Sequence, residues 1–228
     1  MNIKKTVKLT AIALFGIAGF ASCDKDNDNL FQKNEPKEGL AVFDCSSYTK
    51  WNFFSFSRGE IIGSCDAGNA EDYEAWRNRT DWDLAFHRQD VKTNSGVSGN
   101  GKGGVLTYDF GAQAFDFDAV KTAPKDGYKA DVQDSIIYDM SQMMQGIIGY
   151  VHTGLAQDTK KWAVLTDMQN SKWEYAQKVF IVRTADEKYA KIYLKGFKSD
   201  TGVSGTVTMQ YVYQSDGTDN LDITKQTN

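Results

Sequence analysis

Three runs near the C-terminus decide the fold class: Val179-Phe180-Ile181-Val182-Arg183, Tyr189-Ala190-Lys191-Ile192-Tyr193-Leu194 and Val207-Thr208-Met209-Gln210-Tyr211-Val212-Tyr213. Each is rich in β-branched and aromatic residues, which pack well on a pleated surface. Between them stand Ala185-Asp186-Glu187 and Ser199-Asp200-Thr201-Gly202, residues that suit turns. The spacing predicts a meander in which Phe180 and Val182 share one face, as do Ala190, Ile192 and Leu194. Lys191 and Lys195 would point to the other face.

Working outward, the same pattern recurs at residues 40–43, 51–56, 83–86 and 105–108, bounded by Gly, Asp, Asn and Ser. A mainly β, all-β domain follows. One segment breaks the pattern. Over residues 130–145, Val132, Ile136, Ile137, Met140, Met143 and Met144 recur at helical spacing, which predicts one short helix or irregular segment there. Gly146, Gly149 and Gly154 would end it. The glycine-rich stretch from Thr93 to Gly104 lacks the features of a phosphate loop, because Lys102 is followed by Gly103 and a strand rather than by Ser or Thr and a helix. It reads as a flexible hairpin or positive-φ loop.

The N-terminus addresses the compartment. Lys4, Lys5 and Lys8 precede an uncharged apolar run from Leu9 to Ala21, shorter than the ~20 residues a spanning helix needs. It ends in Phe20-Ala21-Ser22-Cys23, similar to a lipobox, so residues 1–22 are expected to be a signal peptide and Cys23 the lipidated residue. Acyl chains anchor durably at ~0.8 kcal/mol per buried methylene. Asp24-Lys25-Asp26-Asn27-Asp28-Asn29 opens a polar stretch read as a flexible acidic tether over residues 23–38, leaving 39–228 as one domain. Acidic residues after the cysteine also resemble a surface-export signal. The expected location is therefore the outer membrane, exposed at the surface, with membrane contact only through the lipid anchor.

The chain has 26 basic and 30 acidic residues, a net charge of −4. Removing residues 1–22 takes away three lysines and no acid, leaving 23 against 30, or −7. Without a basic stripe, nucleic acid is not an expected partner. Cys45 and Cys65 remain as a candidate disulfide in an oxidising compartment, or as thiols buried singly.

Few residues point to catalysis. The two histidines are His87, in the alternating run Asp81-Trp82-Asp83-Leu84-Ala85-Phe86-His87-Arg88, and His152, between Val151 and Thr153. The alternation assigns Trp82, Leu84 and Phe86 to one face and Asp83, Ala85 and His87 to the other. No nucleophile with a base and orienting acid stands out, and no carboxylate pair is singled out, so an enzyme is not expected. The methionines carry more content. Met140, Met143 and Met144 would share a helical face, and Met168 stands in the polar Thr166-Asp167-Met168-Gln169-Asn170. A thioether can pack a core, line an apolar pocket or ligate haem iron, and the residues alone leave these readings open.

Taken in order, several segments carry a resemblance: Trp51-Asn52-Phe53-Phe54-Ser55-Phe56-Ser57-Arg58-Gly59-Glu60, the Asp81 to Arg88 run with Asp90-Val91-Lys92-Thr93-Asn94-Ser95-Gly96, Ser98 to Gly104, and Asp126-Gly127-Tyr128. With the three C-terminal runs they make the chain similar to the HmuY-like haemophore lipoproteins. That resemblance implies an all-β fold that binds haem (iron protoporphyrin IX) at the cell surface and hands it to a TonB-dependent outer-membrane receptor, host haemoproteins being a source. In members that use two histidines, the first ligand follows the segment matching Tyr138-Asp139-Met140 and the second follows the tryptophan matching Trp162. Here those places hold Met143 or Met144, and Met168, so the resemblance implies methionine axial ligands, with Met140, His152 and His87 as lesser candidates. The aromatics flanking Trp162 and Trp173 are expected to pack on the porphyrin. The alternative is a surface lipoprotein of the same fold that binds a glycan or peptide.

Overall fold

The computed structural model describes residues 35–223; the expected signal peptide, Cys23 and most of the expected tether lie outside the described residues. Thirteen strands follow in chain order among them: β1 (Lys37–Asp44), β2 (Lys50–Ser55), β3 (Glu60–Asp66), β4 (Leu84–His87), β5 (Asp90–Thr93), β6 (Gly104–Thr107), β7 (Val132–Asp139), β8 (Gly149–Leu155), β9 (Ala163–Asp167), β10 (Lys172–Tyr175), β11 (Phe180–Arg183), β12 (Tyr189–Lys198) and β13 (Ser204–Gln214). One α-helix, α1 (Ala70–Arg77), joins β3 to β4. Strand β1 starts at Lys37, two residues inside the expected tether, because Lys37 and Glu38 pair with Tyr213 and Val212.

The strands form a five-stranded sheet in the order β1-β13-β12-β11-β6, a four-stranded sheet in the order β3-β2-β4-β5, and two separate hairpins, β7–β8 and β9–β10. The predicted meander is β11–β12–β13, antiparallel throughout. Its alternation is met: Phe180, Val182, Ala190, Ile192 and Leu194 enter the core between the two sheets with Phe54, Phe56, Leu84 and Phe86. On the opposite face Val179, Ile181 and Val212 pack against Phe117, Val120 and Ala123 from the long connection after β6. Lys191 does face that side as expected, but it is buried, its ammonium donating to the carbonyls of Phe117 (2.9 Å) and Val120 (2.8 Å).

The four-stranded sheet is likewise covered on both faces. Trp51, Phe53 and Ala85 pack with Ile136 and Leu155 of the β7–β8 hairpin and with Tyr73 and Trp76 of α1. The sequence assigned Trp82 to the face of Leu84 and Phe86. It instead packs with Phe53 and Ala85, since it precedes β4 and its indole turns back to donate to the Trp76 carbonyl (2.9 Å).

One further expectation is corrected. Residues 132–139 are a strand, and only Met143–Gln145 forms a single 3-10 turn, closed by Gly146 in the left-handed region (φ 77°). The misreading has a simple cause: Val132, Ile136 and Met140 are four apart, a spacing that keeps one face of a helix and one face of a strand alike. The helix that does form, α1, buries no residue fully. It is specified locally, by Asn69 accepting from the amides of Glu71 and Asp72, acidic residues in its first turn and Arg77 in its last. Cys45 and Cys65 are free thiols. They sit in different cores on opposite faces of the four-stranded sheet, so no bridge joins them.

Of the two forms expected for the glycine-rich stretch, a flexible hairpin or a positive-φ loop, the structure has the loop, closely packed and with Gly96 at φ 55°. Asn94 is buried and donates to the carbonyls of Arg79 (2.9 Å) and Trp82 (3.0 Å) while accepting from the Gly101 amide (2.9 Å). A Cβ on Gly99 would lie 2.1 Å from the Asn94 side-chain oxygen, so glycine is required there by close approach. Asp131, at the start of the β7–β8 hairpin, accepts from the Thr93 amide (2.9 Å), the Thr93 hydroxyl (2.7 Å) and the Ser98 hydroxyl (2.6 Å). Burial nevertheless raises its carboxyl to about 6. The hairpin is held a second time by Lys92, fully buried on β5. Its ammonium donates to the Thr153 hydroxyl of β8 (2.8 Å) and the Tyr73 hydroxyl (3.3 Å) and lies 3.7 Å over the Trp51 ring.

Burial pushes the Lys92 ammonium down to about 7, Asp131 only partly offsetting it. An unfolded lysine titrates near 10.5, so between about pH 7 and 10.5 the unfolded chain holds the extra proton and this residue's contribution to stability rises with pH. The change in melting temperature on Lys92→Met is therefore expected to be more favourable at pH 6 than at pH 9, whatever the loss of its hydrogen bonds costs at both; thermal melts showing an equal change at both values would refute this. Asn94→Ala would strand two carbonyls and one amide, each costing ~1–3 kcal/mol. A fall in Tm of about 5–10 °C is expected by calorimetry.

Candidate functional site

With both faces of both sheets covered, the open space lies where the two hairpins meet the turn between β4 and β5. A cavity of about 690 Å³ is lined there by Ile137, Met140 and Met143 from the β7–β8 hairpin, by Val164, Leu165 and Met168 from the β9–β10 hairpin, and by the turn from His87 to Val91. That volume is within the range of small-molecule sites, ~300–1,000 Å³. Trp173 and Leu155 add apolar wall.

The candidates occupy different places in the structure. Met140, Met143 and Met168, some 25 residues apart in sequence, line one cavity, whereas Met144 is 89% exposed and does not line it. Met168 is 72% exposed in the loop joining β9 to β10, so packing does not account for it. His152 lies exposed on β8, its Nδ1 2.9 Å from the Ser135 hydroxyl, and is not among the lining residues. His87 does line the cavity, but its ring is 1% exposed and fixed. Its Nε2 lies 2.6 Å from the Tyr48 carbonyl, which can only accept, so Nε2 carries a hydrogen. The ring also packs on the Trp51 indole, 5.3 Å between centroids. Of the two tryptophans expected near a ligand, Trp173 lines the cavity; Trp162 is buried beneath it and donates its indole N–H to the Gln89 carbonyl (2.7 Å). That bond fastens the start of the β9–β10 hairpin to the β4–β5 turn.

The polar part of the wall was not legible in the sequence. Arg88, Lys160 and Lys161 line the cavity. Lys160 pairs with Asp134, whose carboxyl is held down at about 2 by hydrogen bonds from Lys160 and Gln157. Four non-glycine residues among those described have a positive φ, and three of them line the cavity: Arg88 (52°), Lys161 (63°) and Ser171 (49°). Such conformations cost of order 1–3 kcal/mol each and persist where the surrounding structure enforces them, a concentration typical of functional sites. No group of three or more His, Cys, Asp or Glu able to hold a metal ion occurs among the described residues. No helix among them is long and apolar enough to cross a membrane.

Known proteins share this architecture. A protein of Bacteroides vulgatus described as HmuY-like and heme binding is 30% identical, with a TM-score of 0.61 over 78% of this chain and 92% of that one. A protein of Bacteroides fragilis described as a lipoprotein is 26% identical, with a TM-score of 0.61 over 78% of this chain and 90% of that one. The apo HmuY analog of Tannerella forsythia has the same fold at 20% identity, with a TM-score of 0.59 over 81% of this chain and all of the other. No curated protein sequence matches the chain. The model of the HmuY protein family matches residues 47–211, from the strands of the four-stranded sheet through both hairpins to β13, and the chain belongs to that family.

Proposed function

We propose that this protein is a haem-binding surface lipoprotein whose cavity holds haem through methionine thioethers, and that it delivers haem to a TonB-dependent outer-membrane receptor. One observation carries the reading: Met168 on one hairpin and Met140 and Met143 on the other converge on a single apolar cavity. Family membership and the HmuY-like, heme-binding description of the Bacteroides vulgatus protein support it.

The residues present fit such a cargo. Thioethers from the two hairpins would hold the iron, Met168 from one and Met143 or Met140 from the other. Leu165, Val164, Ile137 and Trp173 provide apolar surface for a porphyrin face. Thioethers are soft, uncharged ligands and do not titrate, so the grip is expected to be insensitive to acid and to favour reduced iron more than imidazole would. The lipoprotein assignment and the surface location rest on Cys23 and the acidic residues that follow it.

The test is a visible absorption titration of the purified full chain with haem, first oxidised and then reduced with dithionite. A saturable Soret shift is expected in the wild type, lost in Met168→Ala and in the double variant Met140→Ala/Met143→Ala, and retained in Met144→Ala. Because Met168 is mostly exposed, its replacement should leave the melting temperature within about 2 °C, separating ligand loss from unfolding. Absence of any shift in either redox state would sink the reading in favour of a glycan or peptide ligand.

The same titration between pH 7 and 5 distinguishes the ligand type. Affinity is expected to hold within about threefold, since no thioether gains a proton. A collapse over that interval would instead argue for a histidine ligand, His152 or His87.

A further inference from the structure

Arg88 occupies an unusual position for a cation. It is the first of two residues joining β4 to β5, between the paired His87 and Asp90, and it adopts φ 52°. Two-residue hairpin turns give such positions to glycine, asparagine or aspartate, because a larger side chain strains the backbone there. The side chain therefore carries a conformational cost that its own strand pairing does not require.

Arg88 is nine-tenths buried, at 9% exposure, and lines the cavity. Its Nη1 donates to the carbonyls of Ser46 (2.9 Å) and Ser204 (3.4 Å), and the group lies over the rings of Tyr48 (4.5 Å) and Phe197 (5.2 Å). Its Nε has no partner. No carboxylate comes within 4.0 Å of Arg88 among the described residues; Asp44 feels its charge from farther away. A charge removed from water without a counter-charge is costly, so a buried arginine normally has its carboxylate.

Lys161, an exposed residue, shares two of these features. It too has a left-handed backbone (φ 63°) and lines the cavity, and among the described residues it makes no ion pair, although its neighbour Lys160 pairs with Asp134 and Lys129 pairs with Asp158 (2.7 Å). Both cations line the same cavity, and the segments that carry them meet: the Trp162 indole, next to Lys161, donates to the carbonyl of Gln89, next to Arg88. Asp90 is the acidic residue that shares this wall, and its carboxyl lies 3.9 Å from Nδ1 of His87.

We propose that Arg88 and Lys161 form an anion-binding end to the cavity that takes the carboxylates of a flat apolar occupant, so that the site selects acidic tetrapyrroles over their neutral esters. This rests on the reading of the cavity as a tetrapyrrole site. The thioethers would grip the metal, and the two cations would fix which edge of the macrocycle points inward. Hydrogen bonds to charged groups are strong enough to make that orientation selective.

The experiment titrates the full chain with haem and, separately, with haem dimethyl ester, in which both carboxylates are neutral. Wild type is expected to favour the diacid by at least about tenfold. Lys161→Gln, a change at an exposed side chain, should cut that preference severalfold without altering the absorption spectrum that reports iron ligation. Arg88→Gln should cut it further, with Arg88→Lys restoring part of it. Equal affinity of the wild type for both ligands, or an undiminished preference in Lys161→Gln, would overturn the inference while leaving haem binding intact. If the wild type binds neither compound, the tetrapyrrole reading itself fails and this inference with it.

Discussion

The four-stranded sheet is apolar on both of its faces, and this constraint shapes everything around it. Trp51 and Phe53 point one way from β2 and Phe54 the other, while β4 is buried along its whole length. A strand with two apolar faces must be covered twice. One cover is the five-stranded sheet; the other is assembled from α1 and the β7–β8 hairpin. The five-stranded sheet meets the same demand with the long connection that follows β6, where buried Lys191 satisfies loop carbonyls that have no strand to pair with.

Because the sheets are used up by the core, the site is built from what projects beyond them. The β7–β8 hairpin is anchored at its base by Asp131, Thr153 and Lys92, which leaves its tip, with Met140 and Met143, free to carry function. The β9–β10 hairpin is anchored by two indoles, Trp162 on the Gln89 carbonyl and Trp173 on the Ser204 hydroxyl, and carries Met168 in its loop. This division of labour resembles a general arrangement in which a rigid scaffold holds mobile or irregular segments that bind. Here the rigid part is also electrically expensive, since an ammonium and a carboxylate are buried within reach of one another at the hairpin's root.

Much of the fold was legible in the residues, and the reasons for the exceptions are specific. The runs from Val179 to Tyr213 alternate with strand period and became β11, β12 and β13, since period-two burial leaves an unambiguous trace. Residues 132–139 were mistaken for helical because a four-residue spacing belongs to both periods. Helix α1 was overlooked for the opposite reason: it has almost no apolar face, and its caps are the whole of its signal. The neighbourhoods of Met143 and Met168 were singled out by resemblance, yet Met140 and Met144 could be told apart only once the turn after β7 was seen to direct one toward the cavity side and leave the other exposed.

By itself, the sequence determined the β architecture, the scarcity of catalytic groups and the unusual placing of methionines in polar surroundings, because these depend on local periodicity and composition. Only the tertiary structure decided that Met140, Met143 and Met168 line one cavity, that Cys45 and Cys65 stand in separate cores, and that Arg88 is a buried cation without a carboxylate. Those facts depend on which distant segments meet. Nothing in a residue's neighbours along the chain records that the indole of Trp162 will find the carbonyl of Gln89 and so join two of the segments that line the cavity.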